Sequence, residues 1–466
     1  MQKEVEKYDF KLIKRIRVRI HDTPGAFGRV AVELGKYGGM LGDITKVDLT
    51  SQHITRDLIM FFDNQKQFEE TKAALEKIKR CKILSIEDEV LNIHRGGKIE
   101  VTPTVIMDNL SDLRMIYTPG VAQVCDYILK NPEKVRDFTS IGNSVCIATN
   151  GSAILGLGNI GVHAGMPVME GKSVILHKMA GVSCIPILVD SDDANRIVDT
   201  LEAISKTFSM IMIEDIKAPL CFEVERMLQE KLPIPVFHDD QHGTATVVLA
   251  VLIIALRMLS KEKENVSIVI NGAGAAGFAT CNMLLEYGFK KIIVCDSAGA
   301  IYEKRKEKMN AYKEALAKVT NKKMKKGSLE TIIKNKDIFI GVSAANLVSK
   351  NMVKSMNKDP IVLALANPIP EIMPQDALEA GAAFAKDGRT VNNCLVFPGL
   401  VRGTLDARTS KITYPMKFAA AETIAGFARK HEGVPNFMNL GIHKSVAERV
   451  KYVALNQNNI TPISIF

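Results

Sequence analysis

One stretch, residues 266–296, restricts the fold of this chain more than any other. Residues 266–271 form a short apolar strand, and the turn Gly272-Ala273-Gly274-Ala275-Ala276-Gly277 follows it directly. A helical pattern at 278–287 and a second strand at 291–295 come next, and Asp296 ends them. This order is the complete pattern of a dinucleotide-binding unit. The sequence therefore predicts an α/β fold with a Rossmann-type, doubly wound nucleotide domain.

The turn predicts where a dinucleotide binds. Its glycines let the backbone approach a pyrophosphate, whose charge lies at the N-terminus of the helix. Asp296 is placed to accept hydrogen bonds from the adenine ribose and to repel a 2′-phosphate, which favours NAD. Ser297 and Lys304 nearby keep NADP open as an alternative. The predicted cofactor-binding residues of this stretch are Gly272, Gly274, Ala275, Ala276, Gly277 and Asp296.

A second glycine pattern, at 156–161, matches the same motif. It has no clear helix after it and no acid at the expected distance. We interpret it as a close-packed turn that shapes a pocket wall.

Two pairs of adjacent acids, Glu214-Asp215 and Asp239-Asp240, lie between apolar segments. Buried carboxylates need compensating positive charge, and an all-oxygen ligand set suits Mg²⁺ or Mn²⁺ better than zinc. Two solvated acidic loops are the alternative. The second pair argues against them, because it lies between residues 234–237 and a long apolar run, at a domain junction where sites are often built.

The first unit, residues 12–92, is predicted to be a ferredoxin-like βαββαβ module. Ile16, Val18 and Ile20 alternate with three arginines, which we interpret as a solvated strand face rather than a nucleic-acid surface, because no aromatic lies among them. The module resembles an ACT domain: the turn Asp22-Thr23-Pro24-Gly25 and the later Gly38-Gly39 match positions that bind effectors. The resemblance implies a small-molecule effector and allosteric control.

Composition limits the class of protein. The chain has 466 residues, 47% of them hydrophobic and 24% charged, as expected for a globular protein of about three domains. A net charge of +9 suits anionic small ligands at least as well as nucleic acid. Eight cysteines without a CxxC spacing and a charged N-terminus predict a cytoplasmic protein without disulfides. The longest apolar run, 245–256, predicts a buried helix and no membrane span.

The body of the chain resembles the malic enzymes of the compact prokaryotic type. The resemblance covers residues 100–430 and rests on six motifs in the family's order. These are Tyr117-Thr118-Pro119-Gly120-Val121-Ala122, Val168-Met169-Glu170-Gly171-Lys172, Glu214-Asp215, Phe237-His238-Asp239-Asp240-Gln241-His242-Gly243-Thr244, Ala366-Asn367-Pro368 and Val391-Asn392-Asn393.

The resemblance implies oxidative decarboxylation of malate to pyruvate and CO₂ with reduction of NAD. Lys172, which the sequence places at the end of a glycine-rich loop, is then the base that takes the C2 hydroxyl proton, with a lowered pKa. Asp239 orients it, and Tyr117 protonates C3. Glu214, Asp215 and Asp240 hold the metal ion, and Asn367 and Asn393 hold the substrate carboxylates. Lys172 also counts as substrate-binding, and Asn367 also as cofactor-binding. His238 and His242 are expected to support the metal ligands.

The resemblance also has a departure and leaves alternatives. Ala153 stands where large eukaryotic members carry an arginine for a substrate carboxylate. Lys178 or a neighbouring subunit of a homodimer or larger homo-oligomer is a candidate replacement. NADP-dependent decarboxylation of malate, decarboxylation of oxaloacetate and a non-catalytic sensor remain the alternatives.

The domains expected are 12–92 (ACT-like), 100–240 (substrate), 241–430 (nucleotide) and 431–466, which packs on the substrate domain.

Overall fold

The computed structural model describes residues 12–154, 157–429 and 433–456. It divides after Glu100 into two compact units. Each unit is described by itself.

The N-terminal unit is a four-stranded antiparallel sheet that buries one face against two of its helices. Its elements are β1 (Leu12–His21), α1 (Ala26–Lys36), β2 (Met40–Leu49), β3 (His53–Phe62), α2 (Gln65–Glu76), β4 (Cys81–Asp88) and α3 (Glu89–His94). The strand order β2-β3-β1-β4 confirms the ferredoxin-like arrangement. Ile16, Val18 and Ile20 are buried against Val30 and Leu34 of α1, as the alternation predicts.

The arginines on the other face of β1 reach the solvent, and two of them also form ion pairs. Arg17 faces Asp57 of β3 in register, and its Nε and Nη2 donate to the two Asp57 carboxylate oxygens at 2.7 and 2.8 Å. Arg15 makes the same bidentate pairing with Glu89. Arg15 and Arg17 thus combine partial exposure with a sheet-to-helix and a cross-strand ion pair, which is compatible with the predicted solvated face.

The second unit begins with short helices and a parallel sheet. The helices are α4 (Leu110–Ile116), α5 (Gly120–Lys130), α6 (Val135–Phe138), α7 (Val162–Ala180), α8 (Ala194–Ile204) and α9 (Leu220–Lys231). The strands are β5 (Ser144–Thr149), β6 (Ser183–Leu188), β7 (Met210–Ile213) and β8 (Val236–His238), in the order β6-β5-β7-β8. All three pairings are parallel, so the carboxyl ends of β7 and β8 lie side by side.

The nucleotide sheet has six strands in the order β11-β10-β9-β12-β13-β14, parallel except for β11. They are β9 (Ser267–Asn271), β10 (Lys291–Asp296), β11 (Gly299–Ala300), β12 (Ile338–Gly341), β13 (Ile361–Ala364) and β14 (Phe384–Asp387). The helices are α10 (Asp239–Leu259), α11 (Ala275–Tyr287), α12 (Ala311–Val319), α13 (Leu329–Ile332), α14 (Lys350–Lys354), α15 (Pro374–Glu379), α16 (Phe397–Ala407), α17 (Tyr414–Gly426) and α18 (Leu440–Leu455). This doubly wound arrangement confirms the predicted fold class.

Helix α10 is the centre of the second unit. It packs on α11 and α17, and its apolar residues share one core with residues of both parallel sheets. Among the described residues it is the one helix long and apolar enough to cross a membrane, but 67% of its most apolar window is buried inside the protein. The prediction of a buried helix is confirmed.

Helix α7 overturns two expectations. It begins directly after Gly161, so the second glycine pattern is followed by a helix, and a β-carbon added at Gly158 or Gly161 would meet no atom within 4 Å, so neither glycine is required by close packing of a side chain. Gly156 lies outside the described residues. Lys172 is in the middle of α7 rather than at the end of a loop, because Met169, Ser173 and Leu176 bury one face of that helix.

The last helix, α18, packs mainly on α16 and α17 and also touches α7.

Candidate active site

The two acid pairs meet at one edge of the first parallel sheet. Glu214 and Asp215 directly follow β7, and Asp239 and Asp240 begin α10 directly after β8. Because neighbouring parallel strands end at the same edge, all four carboxylates come together there. The N-terminus of α10 stabilises the negative charge of the second pair.

Three of these acids could hold a metal ion. Ligand oxygens of Glu214, Asp215 and Asp240 all lie within 4.8 Å of one another. Oε2 of Glu214 and Oδ2 of Asp215 are buried without a hydrogen-bond partner. Burial and then the neighbouring Asp240 raise the pKa of Asp215 to about 7. Buried, mutually repelling oxygens without donors fit a hard divalent cation.

The backbone at Asp215 is strained. Its φ is +52°, in the left-handed region that costs a non-glycine residue about 1–3 kcal/mol. Two hydrogen bonds hold it there: the Asp215 N–H donates to Asp240 Oδ2 at 2.9 Å, and the Ala153 N–H donates to the Asp215 carbonyl at 3.0 Å. Ala153, where the expected arginine is missing, thus supports the acid cluster through its backbone.

Lys172 reaches the acids from α7. Its Nζ lies 2.5 Å from Asp239 Oδ2, pairs with Glu214 and lies 5.2 Å from the ring centroid of Phe397. Burial alone would lower the pKa of Lys172, but Asp239 and Glu214 raise it above its usual value. A lowered pKa of Lys172 during catalysis stays a prediction.

Asn393 joins the nucleotide half of the unit to this cluster. It follows β14, and its Nδ2 donates to Asp239 Oδ2 at 3.1 Å and to Thr244 Oγ1 at 3.2 Å. The other predicted substrate-binding asparagine, Asn367, is exposed after β13, and Lys178 is exposed near the end of α7.

The glycine turn has the form that a dinucleotide requires. Gly272 adopts a φ of +120°, and a side chain there would meet the Val342 carbonyl at 2.5 Å. A Cβ at Gly277 would overlap the Gly272 carbonyl, so this glycine allows close packing of helix and turn. Gly274, at the N-terminus of α11, faces open space where a pyrophosphate fits.

The Asp296 carboxylate accepts more hydrogen bonds from the protein than the sequence predicts. The Ala298 N–H and Arg305 Nη1 donate to its Oδ1 at 2.9 and 2.8 Å, and Arg305 Nη2 and Lys313 Nζ each reach Oδ2 at 2.6 Å. Although burial opposes it, these bonds lower the pKa of Asp296 to about 2. Because a carboxylate offers about four acceptor positions, none is left here for a ribose hydroxyl.

Tyr117 is not part of the cluster. It lies at the end of α4 with 66% of its surface exposed, and no residue of α4 or α5 is buried. The structure therefore brings together Lys172, the four acids and Asn393, and leaves Tyr117 at the surface.

Comparison with known proteins identifies the family. Residues 96–196 match the malic enzyme N-terminal domain, and residues 241–454 match the malic enzyme NAD-binding domain. NAD-dependent malic enzyme 1 of Bacillus subtilis (strain 168) is 40% identical over 446 residues, which are 95% of this chain and 98% of that protein. The chain belongs to the malic enzyme family.

Solved structures of malic enzymes support the assignment. The NAD-dependent malic enzyme of Thermotoga maritima has a TM-score of 0.76 and 39% identity, covering 78% of this chain and 99% of that one. The malic enzyme of Pyrococcus horikoshii has a TM-score of 0.77 and 38% identity, covering 79% and 90%. A bifunctional malic/malolactic enzyme of Bacillus subtilis (strain 168) is 48% identical over 75% of this chain and 87% of its own length.

The malic enzyme motifs did not identify Glu225 and Lys417, two residues that contact His242 beside the metal-site acids. Glu225 on α9 and Lys417 on α17 are both buried and hydrogen-bonded to His242. They lie in no recognisable motif, and the helices that carry them predict only that part of each helix surface is buried. A charged residue on such a face was the available signal.

Proposed function

We propose that this chain oxidises malate to pyruvate and CO₂ with NAD, and that it requires Mg²⁺ or Mn²⁺. The observation that carries the proposal is the hydrogen bond of Asn393 to Asp239. This bond joins the loop that follows the nucleotide sheet to the cluster of Lys172 and the acids. Hydride transfer to the nicotinamide and decarboxylation can therefore occur in the same active site. Glu214, Asp215 and Asp240 hold the ion, which supplies a Lewis acid for the C2 oxygen when bound.

The residues of the chain divide the proton transfers between them. Lys172 takes the C2 hydroxyl proton, and Asp239 at 2.5 Å orients its amine. Lys172 becomes a base only when the charge of Glu214 and its neighbours is offset, because those carboxylates hold it protonated. Tyr117 gives a proton to C3 after CO₂ leaves, so one proton is taken up and one is delivered per turnover.

The proposal is tested by absorbance of the reduced nicotinamide at 340 nm. We expect turnover with malate, Mn²⁺ and NAD, and we expect EDTA to abolish it. Turnover that persists in EDTA would contradict the metal requirement, and the absence of turnover with either cofactor would contradict the activity.

A specific observation favours NADP as a second substrate. Arg305 and Lys313 surround Asp296, and Lys308 donates to Ser297 Oγ at 3.0 Å, so cations outnumber acids where a 2′-phosphate would lie. With NAD, Asp296 must exchange the Lys313 bond for a ribose hydroxyl.

A second copy of this chain is proposed to cover α4 and α5. Large apolar side chains are exposed there, Leu110 by 71%, Met115 by 65% and Leu129 by 78%, which is unusual for the surface of a monomer. In a homodimer or larger homo-oligomer Tyr117 would reach an active site. Sedimentation of the double variant Leu110→Asp, Leu129→Asp tests this. We expect monomers without turnover, whereas a fully active monomeric parent would contradict it.

The N-terminal unit is proposed to be an ACT-like effector module. A groove of about 700 Å³ opens between α1 and α2 at the predicted turn, lined by Gly25, Arg29, Tyr37 and Lys77 among others. Its cations suit an anionic metabolite. Deletion of residues 1–95 should abolish the response to any such effector, and a retained response would exclude the module.

The eight unpaired cysteines, five of them buried, support a cytoplasmic location.

A further inference from the structure

A buried polar chain runs from α17 to the metal-site acids. Its centre is Glu225 on α9, which is almost fully buried in a part of the core where a carboxylate needs several donors. The backbone N–H of His238 and the His242 Nε2–H donate to its Oε1 at 3.1 and 2.9 Å. The Gln241 side chain donates to its Oε2 at 2.8 Å.

Lys417 anchors one end of this chain. Its buried Nζ lies 2.9 Å from His242 Nδ1, where an ammonium can only donate. His242 therefore accepts at Nδ1 and carries its proton at Nε2, the atom that faces Glu225. Burial lowers the pKa of Lys417 to about 8, and Glu225 opposes that shift through the intervening ring. The three side chains link α9, α10 and α17.

The other end of the chain reaches a metal-site acid. Gln241 Nε2 lies 2.9 Å from His238 Nδ1, so the proton of this ring is on Nε2. His238 Nε2 lies 3.1 Å from Asp240 Oδ2, the same oxygen that accepts the Asp215 N–H. Asp240 Oδ2 thus accepts the Asp215 N–H and faces the buried His238 ring, so its position depends on the groups that hold that ring.

We propose that Glu225, Gln241 and Lys417 are positioning residues that fix Asp240 for the divalent ion through His238 and His242. This inference rests on the proposed function, because it requires the ion site. Within the described part of the chain, the side-chain hydrogen bonds of the three residues go to one another, to His238 and to His242, and not to the metal-site acids. They act by holding the first turn of α10 and the two histidine tautomers in place, as groups behind metal ligands commonly do.

The test is Mn²⁺ binding by electron paramagnetic resonance, without cofactor or malate. We expect Lys417→Met and Glu225→Gln to weaken Mn²⁺ binding by about 10–100-fold. NAD affinity, measured separately, should stay within about twofold. Lys417→Arg should recover part of the Mn²⁺ affinity because it keeps a charged donor. Lys444→Met, at an exposed lysine on α18, is the matched control and should bind as the parent does.

The outcomes separate the two proposals. A parent that does not bind Mn²⁺ contradicts the proposed function. A parent that binds, with folded variants that bind equally tightly, overturns this inference alone. Gln241→Leu, which removes the link between Glu225 and the His238 ring but keeps the backbone hydrogen bond, provides the same comparison if the other two variants lose their circular dichroism signal.

Discussion

Gly243 lies one helical turn after Asp239, and a β-carbon at Gly243 would overlap the Asp239 carboxylate. The same β-carbon would lie 3.2 Å from Asn393 Nδ2. The glycine in the turn after the acids thus creates the space in which Asp239 meets both Lys172 and Asn393. Gly243 therefore determines where the Asp239 carboxylate lies, and Asp239 in turn orients the proposed base, Lys172.

Gly243→Ala should reduce turnover without unfolding the chain. The added methyl group displaces Asp239 from Lys172, and misplacement of about 1 Å at a catalytic group costs about a hundredfold in rate. Initial rates with saturating Mn²⁺ and malate measure the loss. Gly426→Ala is the matched control, because a β-carbon at that helical glycine meets nothing within 4 Å. Parental rates for both variants would contradict the positioning role.

Lys172→Met should remove the proposed base and keep the ion site. We expect turnover to fall by about 10²–10⁴-fold, the usual contribution of a general base. Mn²⁺ binding should be retained or tightened, because the ammonium that pairs with Glu214 no longer competes. Rates and Mn²⁺ affinity are measured on the same preparation. Turnover within about tenfold of the parent would assign the base to another group.

Lys313→Met should shift the cofactor preference toward NAD. The substitution frees one acceptor position of Asp296 and removes a cation from the proposed phosphate position. A charged hydrogen bond contributes about 1.5–3 kcal/mol, so we expect kcat/KM for NADP to fall by about 10–100-fold. We expect kcat/KM for NAD to stay the same or to rise. A parent that uses no NADP, or a variant that loses both cofactors equally, would contradict the assignment.

Asp57 should make the N-terminal unit sensitive to acid. Its hydrogen bonds with Arg17 lower the pKa of Asp57, although burial opposes the shift. Since the folded pKa lies below the unfolded value of about 3.9, this stabilisation is complete above that value. It is lost as the pH falls through the folded pKa. Amide exchange protection of β1 and β3 should therefore fall more between pH 5 and 3 in the parent than in Asp57→Asn. Equal losses would contradict the coupling.

The features that follow from local sequence were predictable. The Gly272–Gly277 turn directly follows strand β9, and each acid pair directly follows a strand, as the apolar runs before them indicate. The alternation of Ile16, Val18 and Ile20 likewise identified a half-buried strand.

The errors arose where distant packing decides the structure. Gly165, Pro167 and Gly171 suggested a loop before Lys172, yet burial of Met169 and Leu176 makes that segment helical. Tertiary packing overrode the local propensities there. Although burial opposes the shift, Asp239 and Glu214 from other elements raise the pKa of Lys172, and their approach depends on tertiary packing. Glu225 and Lys417 are far apart in sequence, so no local pattern could pair them.

Direct binding of Mn²⁺ to the purified chain tests the central claim most directly. Anomalous scattering at the manganese edge from a soaked crystal should place one ion against Glu214, Asp215 and Asp240. The triple variant with amides at these positions should show none and should not reduce NAD with malate. An ion bound elsewhere, or full turnover in the triple variant, would contradict the account.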